Sequence, residues 1–310
     1  GMLLGLCQFL WQQPLLGRAG LMPQQGPVGK GDIGLILGWS AGCFAFVFGA
    51  LQAWKFVGPV YGGLPTVAQV LIAVGVIGGA IWSIVKPDAK SVGHEPLNRA
   101  EWGRVISIVI VMIFVIAFWT GFEQAGGTMA LFADENTNRM VGSFEVPSSW
   151  FQSINPLVIV ALAPVFAALW TRLDQSRYRM GDTMKQALGM VVLGLGFVVM
   201  AMAQSMADSG IKVGMHWLAI VFFIHTLGEL MLSPVGLSMV SRVAPAKLVS
   251  LLMGVWFLSS AAANYLAGVM EELLKGSGFA LYPFLAAFAI GAGVLLALIS
   301  RPLEKAMHAK

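Results

Sequence analysis

An apolar stretch, HTLGELMLSPVGLSMV at residues 225–240, contains a single carboxylate, Glu229. It lies within a longer run, residues 213–241, in which Glu229 is the only charged side chain. Roughly 20 apolar residues are enough to cross the hydrocarbon core of a bilayer as a helix. The stretch therefore predicts a transmembrane helix with an acid near its centre.

The composition of the whole chain is typical of a membrane protein. Of its 310 residues, 57% are hydrophobic and only 11% are charged, whereas a soluble domain has about 25% charged residues. So few charges cannot cover a surface exposed to water. The net charge is only +4, and no Cys/His spacing is typical of a metal site. We therefore expect a lipid bilayer as surroundings, and no nucleic acid, metal or organic cofactor.

Seven further runs lack Asp, Glu, Lys and Arg: 33–54, 66–85, 105–122, 146–171, 186–207, 248–270 and 276–300. In lipid each segment must satisfy its own backbone hydrogen bonds, and the runs lack the two-residue alternation of a membrane barrel. The predicted fold class is an all-α integral membrane protein with eight spans. We interpret residues 1–16 as the end of one more transmembrane helix, truncated at its start.

The basic residues fall mainly on one side of these spans. Fifteen of the 19 Lys and Arg residues lie in alternate connections and the tail: 17–32, 86–104, 172–185, 242–247 and 301–310. Cytoplasmic loops of membrane proteins carry such an excess. We therefore expect these segments and the C-terminus in the cytoplasm.

The first two complete spans are rich in small residues. Gly34, Gly38 and Gly42 recur every four residues, and GPVYGGLP at 58–65 is a Pro/Gly turn. Small residues at this spacing let helices approach closely in lipid. Residues 33–85 therefore predict a tight helical hairpin with a structural role. A hydrophilic linker and helix start at 86–104 join it to the remaining six helices.

Glu229 is the 17th residue of its 29-residue run, near the bilayer midplane. A charge there costs about 2.5–3.5 kcal/mol, so the side chain should face a polar cavity or a partner, or carry a proton. His225, four residues earlier, shares its helix face and either shares a proton or packs as a neutral imidazole. Pro234 disrupts a backbone hydrogen bond and Gly236 adds softness, which predicts either a hinge or a static kink.

Two other predicted helices carry polar side chains. Glu123 follows Trp119 by four residues, and it either lines a cavity or marks the end of its helix. Gln152 and Asn155 are three residues apart, a spacing that lets both face the same cavity.

A polar and aromatic stripe marks a fourth helix. In LLMGVWFLSSAAANYLAG, residues 251–268, Trp256, Ser260 and Asn264 recur every four residues. These side chains either bond a neighbouring helix or wall a pocket. Together the four helices predict an acidic cavity that attracts an amine or another cation.

Four long motifs resemble, in the right order, the proton-dependent oligopeptide transporter (POT) family of the major facilitator superfamily. They are FWTGFEQAGGTMALFADENTNR, FQSINPLVIVALAPVFAALW, GELMLSPVGLSMVSRVAP and MGVWFLSSAAANYLAG. The resemblance covers residues 101–303 and implies the C-terminal six-helix half of that fold, followed by a cytoplasmic tail at 304–310. The hairpin resembles the two helices that bacterial members insert between their halves, and residues 1–16 resemble the end of helix six.

The resemblance implies a symporter that imports di- and tripeptides across a bacterial inner membrane, with protons as the coupling ion and no enzymatic activity. Glu229 would hold the peptide amino terminus and serve proton coupling, and Glu123 would take part in proton coupling or substrate contact. Four further side chains would contact the substrate: Asn155, Trp119, Trp256 and Ser260.

The first-half motifs of the family, which include a lysine facing the helix-ten glutamate, are absent from this sequence. Because such transporters rock two halves around a central site, we expect a missing N-terminal six-helix half as partner. Two alternatives stay open. One is transport of another small substrate, such as an amine, a nitrate-like anion or a drug; the other is a non-transporting half-bundle that acts as a receptor or scaffold.

Overall fold

The computed structural model describes residues 97–274 and 280–308, with isolated positions between residues 60 and 75. Apart from those positions, the predicted helix end at 1–16, the hairpin at 33–85 and most of the linker at 86–104 lie outside the described residues. The helices described below belong to one compact unit, Thr66–Lys310.

Six helices in the described region are long and apolar enough to span a bilayer, as the uncharged runs predicted. Seven α-helices make up these six spans, because α1 and α2 together form the first: α1 (Arg99–Phe122), α2 (Thr128–Glu135), α3 (Ile154–Asp174), α4 (Asp182–Asp208), α5 (Met215–Val243), α6 (Val249–Leu274) and α7 (Leu281–Met307). The short α2 continues α1 after a 3-10 turn at Glu123–Gly126. Two further 3-10 turns, Ser148–Ser153 and Ala246–Leu248, precede α3 and α6.

Several helices extend beyond the uncharged runs that predicted them. Helix α4 begins at Asp182, four residues before the run at 186, and α7 continues to Met307, past the predicted start of the tail at 304. The hydrocarbon core excludes charges, but a helix can persist into the headgroup layer, where charged side chains are solvated. Charge-free runs therefore mark the membrane core and not the helix ends.

Helix α1 begins at a capping box. Asn98 Oδ1 accepts a hydrogen bond from the Glu101 backbone N–H at 2.8 Å, and the Glu101 carboxylate accepts one from the Asn98 N–H at 2.8 Å. This reciprocal pair satisfies two of the N–H groups that a helix start leaves open. It explains why the helix begins in the hydrophilic linker rather than at the first apolar residue.

Short strands close one end of the bundle: β1 (Thr137–Asn138), β2 (Met140–Val141), β3 (Phe144–Glu145) and β4 (Val213–Gly214). Strand β1 pairs in parallel with β4, and β2 pairs with β3 in an antiparallel hairpin. Arg139 stabilises this end through two ion pairs, because its guanidinium lies 2.8 Å from the carboxylates of both Asp134 and Glu145. The strands tie the end of α2 to the start of α5.

Ion pairs mark the opposite end. Lys185 Nζ lies 2.8 Å from Asp174 Oδ1, which joins the end of α3 to the first turn of α4. Arg242 lies 2.6 Å from Asp182, which joins the end of α5 to the same turn. Consecutive spans therefore run in opposite directions, and the ends of α3 and α5 meet the start of α4.

The end of α7 packs against that same helix start. The Glu304 carboxylate lies close to the backbone N–H groups of Thr183 and Met184 in the first turn of α4. A β-carbon at Gly181, the N-cap of α4, would overlap this carboxylate. Glu304 thus contacts the start of α4 from a helix more than 100 residues away in sequence.

Helix α4 packs closely against α5 through facing glycines. A β-carbon at Gly189 would stand 2.7 Å from the carbonyl oxygen of Gly228, and one at Gly228 would stand 2.7 Å from that of Gly189. On its other side, Gly194 of α4 leaves room for Ile290 of α7. Small residues thus let α4 approach both neighbours, as is usual for helices in lipid.

Candidate functional site

The side chains of Asn155 and Glu229 form the centre of the site. Asn155 Nδ2 donates a hydrogen bond to Glu229 Oε2 at 2.6 Å, and it lies 3.2 Å from Thr226 Oγ1. Asn155 stands in the first turn of α3, whereas Thr226 and Glu229 lie one turn apart on α5. An amide therefore holds the membrane carboxylate in one orientation.

Thr226 is a site residue that the sequence analysis missed. It is fully buried, and its Oγ1 donates to the Phe222 carbonyl at 2.7 Å. Its hydroxyl therefore faces Asn155 as an acceptor. Its position three residues before Glu229 places both side chains on one helix face, and this spacing could have identified Thr226 from the sequence.

A small cavity of about 180 Å³ opens beside this pair. The 3-10 turn after α1 contributes Glu123, the turn before α3 contributes Gln152, and α5 contributes His225. Asn155 and Thr226 complete its polar lining. Residues that the sequence placed on three separate helices therefore meet around one space.

Glu123 lies near enough to Glu229 for the two carboxylates to interact electrostatically. Because α2 continues the chain beyond the 3-10 turn, Glu123 stands inside the bundle and not at a helix end in water. The cavity lining that the structure describes holds no Lys or Arg. The cavity thus has an acidic character, which favours a bound cation.

Gln124 holds the turn that presents Glu123. The Gln124 amide is buried, and its Nε2 donates to the carbonyl of Ala267 on α6 at 3.1 Å. Its Oε1 accepts a hydrogen bond from Thr128 Oγ1 at 2.9 Å. These contacts fix the break between α1 and α2 against α6.

His225 faces the cavity from a largely aromatic setting. Its side chain is buried, and its ring centroid lies 4.6 Å from that of Phe197 and 6.5 Å from that of Phe122. A β-carbon at Gly196 would overlap the imidazole, so α4 leaves a glycine-sized space for it. Of the two sequence interpretations, this packing favours the neutral imidazole, because ionisation among aromatic rings is costly.

The predicted aromatic and hydroxyl residues lie apart from this cavity. Trp119 packs edge-on against Phe122, with ring centroids 5.1 Å apart. Trp256 and Ser260 lie on α6, and neither belongs to the lining of the 180 Å³ cavity. The cavity lining therefore includes Glu123 and Asn155, and Glu229 is joined to it through its hydrogen bond with Asn155. Trp119, Trp256 and Ser260 do not belong to the lining and have no such bond to it among the residues that the structure describes.

The candidate hinge lies within an unbroken helix. Helix α5 runs from Met215 to Val243 with Pro234 inside it. Gly236 lies under the indole of Trp256, where a β-carbon would overlap the ring. The hinge role of Pro234 and Gly236 stays a prediction.

Metal binding finds no support in the described residues. Within residues 97–274 and 280–308, no group of three or more His, Cys, Asp or Glu side chains is placed to hold an ion. Of the two acids of the site, Glu229 is hydrogen-bonded to Asn155.

Sequence and structure comparisons relate the chain to known transporters. The POT family profile matches residues 89–284. The uncharacterized transporter YclF of Bacillus subtilis is 32% identical over 99% of this chain and 60% of its own length. The peptide transporter YePEPT of Yersinia enterocolitica is 35% identical over 68% of this chain and 43% of its own length.

Solved structures give the same result. The crystal structure of a peptide transporter POT in complex with sulfate superposes with a TM-score of 0.70 at 29% identity, over 99% of this chain and 61% of that one. A mutant peptide transporter POT in complex with alafosfalin gives a TM-score of 0.68 at 28% identity, over 99% of this chain and 60% of that one.

The chain spans about 60% of the Bacillus relative and less than half of the Yersinia one. Its six described spans match the multi-pass membrane architecture of these transporters. The family profile covers more than half of the chain, including all the site residues named above. The resemblance seen in the motifs is thereby confirmed, and the chain belongs to the POT family of transporters.

Proposed function

We propose that the full-length protein imports di- and tripeptides with protons, and that residues 97–308 supply the C-terminal half of its transport path. The observation that carries the proposal is the 2.6 Å bond between Asn155 Nδ2 and Glu229 Oε2 beside the acidic cavity. Related proteins are described as peptide transporters and as dipeptide and tripeptide permeases, which supports a peptide substrate.

Glu229 has the chemistry to hold a peptide amino terminus. A carboxylate offers about four acceptor positions, and Asn155 occupies one of them, which leaves others for an ammonium group. Within a membrane bundle the attraction between unlike charges is stronger than in water. Asn155 would keep the carboxylate aimed, so that less of the binding energy is lost in ordering it.

Proton coupling would rest on Glu123 and Glu229. Their electrostatic interaction is repulsive when both are ionised, so binding of a cation to the pair is favourable. A proton and a peptide ammonium are two such cations. We propose that they occupy the pair in a coupled manner, with no further cofactor.

The remaining predicted residues would act around this centre. Trp119, Trp256 and Ser260 would wall the substrate path when the second half closes the cavity. Pro234 and Gly236 would let α5 bend as the path opens. Alternating access requires the N-terminal six-helix half, which we propose as the partner.

We further propose a bacterial inner membrane as the location, with the C-terminus in the cytoplasm. Support comes from the basic end of the bundle, where Arg172, Lys185, Arg242 and Arg301 lie near the ends of the spans. We also propose a transport role without enzymatic activity, which membership of a transporter family supports.

Proton-driven uptake by the full-length protein in proteoliposomes tests the proposal. Glu229→Gln should abolish dipeptide uptake driven by a proton gradient. The control is Glu135→Gln, which changes an exposed acid at the end of the bundle that carries the strands and should leave uptake unchanged. Normal uptake by Glu229→Gln would overturn the proposal. If an amine or a drug inhibits uptake and unlabelled di- and tripeptides do not, the result would favour another small substrate.

A further inference from the structure

A groove of about 440 Å³ runs between α4 and α7, and no part of the proposed transport site uses it. Small side chains form its floor: Ala187 on α4, and Gly293 and Ala297 on α7. Leu188 and Leu298 form its rims and are 37% and 74% exposed. The groove is therefore an open, apolar furrow on the bundle surface.

The closed end of the groove lies where the two helices touch. A β-carbon at Gly293 would stand 2.8 Å from Val191 Cγ2 and 2.9 Å from the Ala187 carbonyl oxygen. Eight residues separate Gly293 from Arg301, which is about 12 Å along a helix. The hydrocarbon core is about 30 Å thick, so the groove spans most of one leaflet.

A cation stands at the open end of the groove. Arg301 lines it and is the first charged residue after the uncharged segment 281–300 of α7. Lys305 follows one turn later on the same helix face. Neither side chain forms an ion pair within the part of the chain that the structure describes.

The acids nearby do not line the groove. Glu304 packs against Gly181 at the start of α4, Asp182 is paired with Arg242, and neither carboxylate belongs to the groove lining. The charge that the groove mouth presents is therefore positive. A positive mouth on an apolar furrow complements a molecule with one negative headgroup and an alkyl chain.

We propose that this groove binds an anionic phospholipid, with one acyl chain between α4 and α7 and the phosphate on Arg301. The length and apolar lining of the groove match an acyl chain in one leaflet, and the positive charge of Arg301 matches the phosphate of the headgroup. Basic sites between transmembrane helices are known to bind anionic headgroups. Glu229 and the transport cavity lie on other helices, so the site is separate from the proposed transport function.

Native mass spectrometry of the full-length protein, extracted from vesicles of phosphatidylglycerol and phosphatidylcholine, tests the site. The wild-type protein should retain phosphatidylglycerol in preference to phosphatidylcholine. Arg301→Gln should lower that retention about fivefold, the effect expected for one cation at a membrane surface. Val294→Trp fills the groove from a lipid-exposed position and should also lower retention.

Arg172→Gln is the matched control, because Arg172 is an exposed arginine near the end of α3, at the same end of the bundle. Its phosphatidylglycerol retention should equal that of the wild type. Unchanged retention in Arg301→Gln, or an equal loss in Arg172→Gln, would overturn the proposal. So would full retention in Val294→Trp, because the acyl chain would then lie elsewhere.

Discussion

The indole of Trp256 on α6 lies against the backbone of Gly236 on α5, in a space that only a glycine leaves open. Gly236 stands two residues after Pro234, which interrupts the hydrogen bonding of α5. Trp256 is buried at this contact. Any change in the angle of α5 near Pro234 must therefore move the indole, which couples the candidate hinge to a predicted substrate residue.

Gly236→Ala should disturb this contact. The added methyl group overlaps Trp256, and overpacking of this kind typically costs about 1–3 kcal/mol. We expect a lower melting temperature in detergent and slower peptide uptake by the full-length protein. Gly254→Ala on α6 is the control, because its β-carbon has nothing within 4 Å. Equal melting temperatures for the two variants would contradict the prediction.

Asn155→Leu should weaken peptide binding. The substitution removes the amide that orients Glu229 and leaves the carboxylate without this hydrogen bond, which lowers the free energy of unfolding by about 1–3 kcal/mol. We also expect the KM for dipeptide uptake to rise about tenfold, because the carboxylate must then be ordered when the peptide binds. Asn264→Leu removes an exposed amide whose hydrogen bond, among the residues that the structure describes, is to the Ser260 carbonyl of its own helix, and it should change KM little. A KM for Asn155→Leu equal to the wild-type value would refute the positioning role.

Gly189→Ala and Gly228→Ala should each separate α4 from α5. Either methyl group would stand 2.7 Å from a carbonyl oxygen of the facing helix, and backbone cannot move aside as a flexible side chain can. We expect each to lower the melting temperature, with a cost of about 1–3 kcal/mol. The double variant should cost less than the sum, because one helix displacement relieves both overlaps.

Gly268→Ala on α6 provides the comparison for this pair, since its β-carbon also has nothing within 4 Å. It should leave stability unchanged or raise it by up to about 1 kcal/mol, the helix propensity difference. Strict additivity in the Gly189/Gly228 double variant would show that the two overlaps are independent.

The two partners of the Lys185–Asp174 ion pair should respond unequally to removal. The Lys185 side chain is 4% exposed and lies 5.2 Å from the Trp170 ring centroid, whereas Asp174 is 45% exposed. Asp174→Asn leaves the buried lysine without its partner, which should lower the free energy of unfolding by about 1–3 kcal/mol. This cost is smaller than for a fully buried ion pair, because Asp174 is partly exposed to water. Lys185→Met removes the buried charge and leaves Asp174 in water.

The melting temperature of Asp174→Asn should therefore be lower than that of Lys185→Met. Added salt should reduce this difference in melting temperature only slightly, because the lysine is shielded from solvent. An equal loss for both variants would mean that the pair behaves as a surface ion pair.

The sequence predicted the membrane spans and their polar members for a local reason. The length of an uncharged run follows from the thickness of the bilayer, and residues three or four apart share a helix face. Glu229, Glu123 and Asn155 were found because a polar side chain is conspicuous in an apolar run. Thr226 is also polar, but its role depends on Asn155, 71 residues away.

The sequence by itself determined that the chain spans a membrane, where its acids lie along each helix and which family its motifs resemble. Only the tertiary structure decided which helices meet: Asn155 with Glu229, Gly189 with Gly228, and Trp256 with Gly236. The reason is that lipid is as apolar as the inside of the bundle. Hydrophobic periodicity therefore does not separate a buried face from a lipid-facing one, and contacts depend on small residues and scattered polar groups.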